Sequence, residues 1–254
     1  MFKTTDVFKK NDTVEVLDSI MGSSKTTKIL EWIDSNPNVK YIYVSPLLKE
    51  VEEGGRIHTK LNKVSFETPT NDNGSKSDSF LSLLKEGVNV ACTHSLYLGM
   101  TSEHFNLIAK HGYTVIIDEE IDVIESFDKY SISDLRWLYD NNIVEISEDD
   151  GMVTWVGDRN LINDSHKYYT LLCYCDAKAL YAAKRSNSMM VTQLPVRLFE
   201  CAKRVIILTY MFKGNILDSF LKLKGIKCVP FTEVEVTKKS KSDIRNLVNL
   251  LPPN

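Results

Sequence analysis

Apolar residues cluster in short continuous runs that alternate with stretches of helical periodicity. Five of these runs predict β-strands, at residues 14–20, 39–44, 88–93, 113–117 and 205–209. Three intervening stretches predict helices, at residues 25–33, 79–85 and 102–110. Because the strand runs are mostly apolar and do not alternate strictly with polar residues, they indicate a sheet that is buried on both faces. The pattern therefore predicts an α/β fold with a mostly parallel sheet and helices on both faces.

This alternation is interrupted between about residues 131 and 195. The stretch DLRWLYDNN, opened by a Ser-x-Ser-Asp sequence, predicts a helix. Two runs at 143–147 and 152–156, joined by the acidic turn EDDG, predict a β-hairpin, and residues 168–183 predict a further helical stretch. We interpret this part as an α+β insertion in the core. Residues 62–79, rich in Asn, Ser, Asp and Gly, predict a mobile loop.

The composition fits a folded protein with a real core. The chain has 254 residues, of which 43% are hydrophobic and 26% charged, which excludes disorder, collagen-like repeats and coiled coil as whole-chain descriptions. No apolar run approaches the roughly 20 residues that span a bilayer, and the N-terminus lacks the apolar core of a signal peptide. The five scattered cysteines do not resemble a disulfide framework. We therefore expect a cytoplasmic protein without a membrane partner.

The net charge of −3 conceals an uneven distribution. Residues 118–150 carry twelve acidic side chains against two basic ones, whereas residues 203–245 carry ten basic against four acidic. The basic C-terminal third is suited to contacts with the phosphates of a nucleic acid. A solvated helix face followed by a basic tail explains the same pattern.

The segment LDSIMGSSKT has the order of parts that a phosphate-binding loop requires. A strand is followed by a turn of small residues, a lysine with a hydroxyl residue, and then a helix. Backbone N–H groups of such a turn surround the phosphates, the lysine reaches the terminal phosphates, and the hydroxyl holds Mg²⁺. The predicted nucleotide-binding residues are Gly22, Ser23, Ser24, Lys25, Thr26 and Thr27.

This loop departs from the usual pattern at two positions. Ser24 stands where a glycine usually precedes the lysine, and Ser19 stands where the first glycine is usual. Glycine at the position of Ser24 lets the backbone approach the phosphate, in some loops with positive φ. A Gly-Ser-Ser-Lys-Thr string also occurs as a plain helix N-cap, and the sequence alone leaves both interpretations open.

An acidic pair follows the fourth predicted strand in the sequence VIIDEE. Asp118 and Glu119 directly end an apolar run, and the carboxyl ends of parallel strands form the edge at which α/β proteins bind ligands. We expect Asp118, together with Thr26, to hold Mg²⁺. Glu119 is then the predicted general base that polarises the water attacking the γ-phosphate. The alternative is an acidic helix N-terminus, which also suits the helix dipole.

The order of GSSKT, YIYVSPLLKEVE, VACTHSLYL, VIIDEEIDVIE and VIILTYMF resembles the first motor domain of superfamily 2 (DEAD/DEAH-like) helicases, most of all the phage-encoded helicase-like group. The resemblance implies a RecA-like P-loop NTPase fold that binds ATP and Mg²⁺. It also implies catalytic roles for Lys25, Asp118 and Glu119. Further roles carried over are nucleic-acid contacts by Ser45, Pro46, Thr93 and His94, and coupling of nucleotide state by Thr209.

The resemblance covers about residues 14–228 and implies a domain at 1–228, with 229–254 as a linker or tail. It implies a helicase or translocase in phage DNA replication or recombination, with DNA favoured over RNA and the host cytoplasm as location. A second RecA-like domain requires on the order of 100 further residues. We therefore expect the chain to be the N-terminal half of a two-domain motor, completed by another domain or subunit. No arginine stands out as the one that completes the ATP site.

Two other functions fit the same residues. Ile121 stands where the family has a polar residue that links the acidic motif to Thr209, which favours a non-catalytic adaptor that binds nucleotide or nucleic acid. A small-molecule or nucleotide kinase also uses a phosphate loop. The adjacent Asp-Glu pair argues against a kinase, because that glutamate serves to activate water.

Overall fold

The computed structural model describes residues 10–72, 74–163, 165–182 and 190–237. Its strands are β1 (Thr13–Asp18), β2 (Tyr41–Ser45), β3 (Val90–Thr93), β4 (Thr114–Asp118), β5 (Ile124–Ser126), β6 (Val144–Ile146), β7 (Val153–Trp155), β8 (Leu180–Ala182), β9 (Met190–Gln193), β10 (Arg204–Thr209) and β11 (Lys227–Pro230). Its helices are α1 (Lys25–Ser35), α2 (Leu48–Val51), α3 (Arg56–Thr59), α4 (Lys76–Glu86), α5 (His94–Leu98), α6 (Ser102–His111), α7 (Ile132–Asp140), α8 (Tyr169–Asp176), α9 (Arg197–Glu200) and α10 (Ile216–Leu223), with a short 3-10 helix at Arg159–Leu161.

Six parallel strands form the central sheet in the order β11-β1-β10-β4-β2-β3. All five strands predicted from the apolar runs lie in this sheet. The prediction of an α/β fold with a parallel sheet is therefore confirmed. The strands β1, β10 and β4 are adjacent, so the segments that follow them meet at one edge.

Helices cover both faces of the sheet because its strands are apolar on both sides. In β4, Val115 and Ile117 belong to one buried cluster, which also contains Phe105 and Ile108 of α6. Ile116, between them, belongs to a second cluster with Ile29 of α1. Successive side chains of a strand point to opposite faces, so a continuous apolar run serves both layers.

The helices of the described residues are short. The longest, α1 and α4, have 11 residues each, which matches their task of crossing one face of the sheet. None of the helices in the described ranges is both long and apolar enough to cross a bilayer.

The sheet continues past residue 228, where the sequence predicted the core to end. The strand β11 lies beside β1, with Val14 opposite Cys228 and Val16 opposite Pro230, and Phe231 is buried. The segment KCVP gave no clear strand signal, since it is short and its outer residues are Lys and Pro, as is common on edge strands. The part of the predicted tail from residue 238 onward lies outside the described residues.

The insertion has a hydrophobic cluster of its own, and it begins before residue 131. The strand β5 pairs antiparallel with β9, and β9 pairs with β8, so the inserted sheet includes residues 124–126. The helix α7 and the hairpin of β6 and β7 are confirmed. The predicted helical stretch 168–183 is wrong in its second half, because α8 ends at Asp176 and residues 180–182 form β8. Residue 183 lies outside the described ranges.

The predicted loop at 62–79 is shorter than expected. The helix α4 begins at Lys76, three residues before its predicted start, behind a capping box in which Ser75 accepts from the Asp78 N–H. Before it, the carboxylate of Asp34 accepts N–H bonds from residues 62–64. These bonds attach the segment to the end of α1.

Candidate active site

A cleft of about 450 Å³ lies at the carboxyl edge of the central sheet, beyond β1, β10 and β4. The structure brings together here every residue predicted to bind nucleotide or metal, with the predicted base and Thr209. The lining residues are Met21, Gly22, Ser23, Ser24, Lys25, Thr26, Thr27, Arg56, Asp118, Glu119, Glu120, Leu208, Thr209 and Tyr210.

The turn between β1 and α1 contains two residues in the left-handed region. Gly22 has φ 70° and Ser24 has φ 65°. Ser24 immediately precedes α1, yet its side chain makes no capping hydrogen bond. An ordinary N-cap serine has extended backbone and accepts a bond from the first turn. Ser24 therefore has the backbone conformation that glycine would provide in a phosphate loop, and the plain N-cap interpretation is not supported.

Lys25 lies over the turn that precedes it. Its Nζ donates to the carbonyl oxygens of Ser19, at 2.5 Å, and Ile20, at 3.1 Å. Partial burial lowers the pKa of Lys25, against the opposing effect of the carboxylates of Asp118, Asp18 and Glu119. The ammonium group is thus held in the cleft among groups of negative charge or partial negative charge.

Thr26 and Asp118 are joined across the cleft. The Thr26 hydroxyl donates to Asp118 Oδ2 at 3.1 Å, and the Tyr43 hydroxyl donates to the same oxygen at 2.7 Å. Asp118 is only 8% exposed, and this burial raises its pKa, although both hydrogen bonds act in the opposite direction. Tyr43 is fully buried in β2, so its hydroxyl holds the Asp118 carboxylate in a fixed position.

Glu119 turns away from the strand that carries it. Its φ is 67°, and its N–H donates to the carbonyl oxygen of Leu208 at 2.9 Å. The neighbouring strand β10 thus holds the backbone of Glu119 in the left-handed region, while its side chain is exposed in the cleft.

Thr209 lines the cleft, whereas Ile121 belongs to the hydrophobic core. Thr209, at the end of β10, is buried and its carbonyl oxygen accepts from the Ser19 N–H at 3.0 Å. Ile121 is 1% exposed and packs in the hydrophobic cluster on one face of the sheet. An apolar side chain at this position cannot form a polar link to Thr209.

The four residues predicted to contact nucleic acid lie at the same edge, outside the cleft lining. Ser45 and Thr93 are neighbours in register, at the ends of β2 and β3. Ser45 is buried and accepts from the Leu47 N–H at 3.2 Å, and Thr93 caps α5 by accepting from the Leu96 N–H at 3.3 Å. Pro46 is exposed.

His94, the fourth of these residues, is bonded to the acidic motif. Its Nε2 lies 2.9 Å from the carbonyl oxygen of Asp118. A carbonyl oxygen can only accept, so Nε2 carries the hydrogen. Burial lowers the pKa of His94, which favours the neutral ring at pH 7. The side chain therefore connects the ends of β3 and β4.

Sequence reasoning missed three side chains at this edge. Tyr43 was counted only as part of a strand, and nothing in its context marks the hydroxyl. Asp18 ends β1 and accepts N–H bonds from Met211, at 2.9 Å, and Phe212, at 3.0 Å. Arg56 enters the cleft from α3, and the signal for it was the pair of glycines before it in EEGGR.

The arrangement is suited to a magnesium ion held in part by a ligand. No group of three or more His, Cys, Asp or Glu side chains within the described ranges forms a ready metal site. Mg²⁺ is usually held in nucleotide sites by one or two protein oxygens together with waters and phosphates. The hydroxyl of Thr26 and the carboxylate of Asp118 supply such a pair.

The chain is similar to a protein of prophage origin. No protein-family model matches the chain. Over 219 residues the chain is 29% identical to a Bacillus subtilis (strain 168) protein named as SPbeta prophage-derived uncharacterized protein YonV. The match covers 84% of this chain and 52% of that protein, so the chain spans about half the length of this curated relative.

Proposed function

We propose that this chain is an ATP-binding and ATP-hydrolysing motor domain of RecA-like type, belonging to a helicase or translocase that acts on nucleic acid. The observation that carries the proposal is the hydrogen bond from Thr26 to Asp118. It joins the residue after the loop lysine to the first acidic residue of the neighbouring motif. These two residues are 92 positions apart in the sequence.

The residues of the turn fit the phosphates of ATP. Positive φ at Gly22 and Ser24 is the kind of backbone conformation from which anion-binding turns are built. The hydroxyl of Ser23 is buried without a hydrogen-bond partner among the described residues, which costs about 1–3 kcal/mol. In the proposed complex Lys25 exchanges its carbonyl partners for the β- and γ-phosphates.

Thr26 and Asp118 would hold Mg²⁺, and Glu119 would act as the base. A bound magnesium ion neutralises charge on the phosphate oxygens. The exposed Glu119 lies one residue beyond Asp118, where its carboxylate can orient and deprotonate a water. Burial of Asp118 separates the two roles, because one carboxylate stays inside the sheet edge and the other faces solvent.

Ser45, Thr93 and His94 support the nucleic-acid part of the proposal. The first two end adjacent strands, and His94 connects this edge to the backbone of Asp118. A nucleic-acid strand bound beyond the ends of β2 and β3 would thereby influence the position of the acidic motif. DNA is the nucleic acid we propose, and the greater length of the prophage-derived relative leaves room for a second motor domain.

An ATPase assay tests the proposal. Purified chain is incubated with Mg²⁺ and ATP alone, with single-stranded DNA, with double-stranded DNA and with RNA. We expect hydrolysis that DNA stimulates and that Lys25→Ala abolishes. Lys28→Ala is the matched control, since Lys28 lies on the same helix and pairs with Glu31 at the surface. Absence of ATP binding in wild type, or an unchanged rate in Lys25→Ala, would refute the proposal.

A second candidate is nucleotide binding without turnover. The buried Ile121 favours it, because this residue removes the polar connection between the acidic motif and Thr209. In that case the chain binds ATP through Lys25, but Glu119→Gln leaves any measured hydrolysis unchanged.

A further inference from the structure

We infer that Arg56 is the arginine of this ATP site, supplied from within the same domain to contact the terminal phosphate. The inference rests on the proposed function. Arg56 lines the cleft together with Lys25 and Glu119. Within the described residues that line this cleft, Lys25 and Arg56 are the cations.

The chain places Arg56 by a tightly packed turn between α2 and α3. Gly54 has φ +82°, which other residues rarely adopt. A Cβ atom at Gly55 would lie 2.6 Å from the carbonyl oxygens of Lys49 and Glu50, so glycine is needed there for close approach. Two consecutive glycines thus bring α3 directly against α2.

Both short helices are anchored in the core. Val51 of α2 and Ile57 of α3 are each 1% exposed. The Thr59 hydroxyl donates to the Gly55 carbonyl oxygen at 3.1 Å, and His58 Nε2 lies 2.9 Å from that of Val51. Arg56 is therefore carried by a fixed turn next to a buried residue, and not by a free loop.

Glu50 fixes the plane of the guanidinium group. Arg56 Nε donates to Glu50 Oε2 at 2.7 Å and Nη2 donates to Oε1 at 2.9 Å. Arginine has five N–H donors, so three remain after this pairing. In the part of the chain that the structure describes, the side chain of Arg56 has no other hydrogen-bond partner. A guanidinium with a fixed plane and free donors is suited to phosphate oxygens.

The position on the sheet distinguishes Arg56 from Lys25. Lys25 follows β1, while Arg56 follows β2, on the other side of β4. The two cations therefore flank the acidic pair that follows β4. A phosphate chain that begins on the turn at residues 22–26 and extends toward Glu119 has its terminal group on the side of Arg56. We expect Arg56 to distinguish ATP from ADP, whereas Lys25 contributes to both.

Equilibrium titrations with fluorescent ATP and ADP analogues in Mg²⁺ buffer test this assignment. We expect Arg56→Ala to weaken ATP binding about tenfold or more, the range for a bond between charged groups, with ADP binding changed less than about twofold. Arg56→Lys keeps the positive charge but loses the planar arrangement of N–H donors. We expect its ATP affinity to lie between those of wild type and Arg56→Ala. If the unpaired Glu50 prevents Arg56→Ala from folding, the double variant Glu50→Gln/Arg56→Gln, which removes both charges, replaces it in the titrations.

Arg159→Ala is the matched control, because Arg159 pairs with Asp176 at 2.6 Å on the insertion, and we expect it to leave both affinities unchanged. An ATP-to-ADP affinity ratio that is unaltered in Arg56→Ala and in the double variant overturns the inference, provided that Lys25→Ala weakens ATP binding. If Lys25→Ala also has no effect, the proposed function fails first. Loss of DNA binding with an unaltered ratio would assign Arg56 to nucleic-acid phosphates and likewise overturn the inference.

Discussion

The cleft and the insertion use the same unusual backbone conformation for different reasons. Among the described residues, five residues other than glycine have positive φ, namely Ser24, Glu119, Asn142, Lys178 and Met211. Two of them lie in the insertion and end helices. Behind Asn142 the Ile143 N–H donates to the Leu138 carbonyl oxygen, and behind Lys178 the Ala179 N–H donates to that of Tyr174, both at 2.9 Å. These are Schellman motifs, an ordinary way to end a helix.

The other three lie at the carboxyl edge of the central sheet, and none of them ends a helix. Ser24 and Glu119 line the cleft, and Met211 follows Tyr210, which also lines it. A left-handed non-glycine residue costs about 1–2 kcal/mol, and such strain is common at binding and catalytic sites. The left-handed residues of the insertion therefore end helices, whereas those at the sheet edge shape the candidate site. Four experiments compare the two regions further, from the largest expected effect to the smallest.

Glu119→Gln tests the catalytic side of the comparison. We expect kcat for ATP hydrolysis to fall about 10²–10⁴-fold with little change in ATP affinity, because the amide cannot accept a proton. Glu120→Gln is the control, since Glu120 is exposed in the same cleft, and its rate should stay near that of wild type. Equal losses in both variants would contradict the assignment of the base.

Leu138→Ala tests the independence of the insertion. Leu138 is fully buried in α7, in the hydrophobic cluster of the insertion, so truncation should cost about 2–5 kcal/mol. We expect faster hydrogen exchange in the insertion and unchanged ATP affinity. Loss of protection in β1 or β4, measured in the same exchange experiment, would show that the two regions are one cooperative unit.

Asp118→Asn tests the cost of the buried carboxylate. Burial raises the pKa of Asp118 in the folded protein. The contribution of the Asp118 carboxyl group to the free energy of unfolding is therefore fully present below the unfolded pKa, and it is lost as pH rises through the folded pKa. We expect the variant to melt about 2–4 °C above wild type at pH 7 and the difference to shrink in acid, while Mg²⁺-dependent hydrolysis is lost. A lower Tm than wild type at pH 7 would be the opposite result.

Ser24→Gly and Lys178→Gly make the comparison most directly. Each replaces a left-handed residue by one without the steric penalty, so each should stabilise the protein by about 1 kcal/mol in urea unfolding. Only Ser24→Gly is expected to tighten ATP binding, because only Ser24 lies in the proposed phosphate loop. Equal ATP affinities in the two variants would argue against that role.

The strands that could be predicted from the sequence are those covered on both faces of the sheet. Apolar runs marked β1, β2, β3, β4 and β10, since strands covered on both faces leave few polar positions. The edge strand β11 escaped notice because an edge needs fewer apolar side chains. Lys178 shows a different limit, since a lysine at the end of α8 carries no local signal for the left-handed conformation that stops the helix.

The candidate site was predictable where the residues are close to a strand end. Asp118 follows an apolar run directly and Lys25 follows another after the turn at residues 21–24, so their meeting at one edge follows from parallel pairing. Arg56 lies eleven positions beyond the end of β2, and its approach depends on how α2 and α3 pack. Tyr43 is a core residue in sequence pattern, and only the register of β2 against β4 places its hydroxyl on Asp118.

The position of β1 in the sheet has a consequence for how the protein forms. Glu15 lies beside Ile206 on one side and Val229 on the other, so both neighbours of this strand come from residues translated long after it. At synthesis rates of about 5–20 residues per second, the intervening stretch takes roughly 10–40 s to emerge. During that time both edges of β1 lack their partners, a state that favours misassociation. The turn that carries Lys25 thus acquires its shape only after β10 and β11 have been translated.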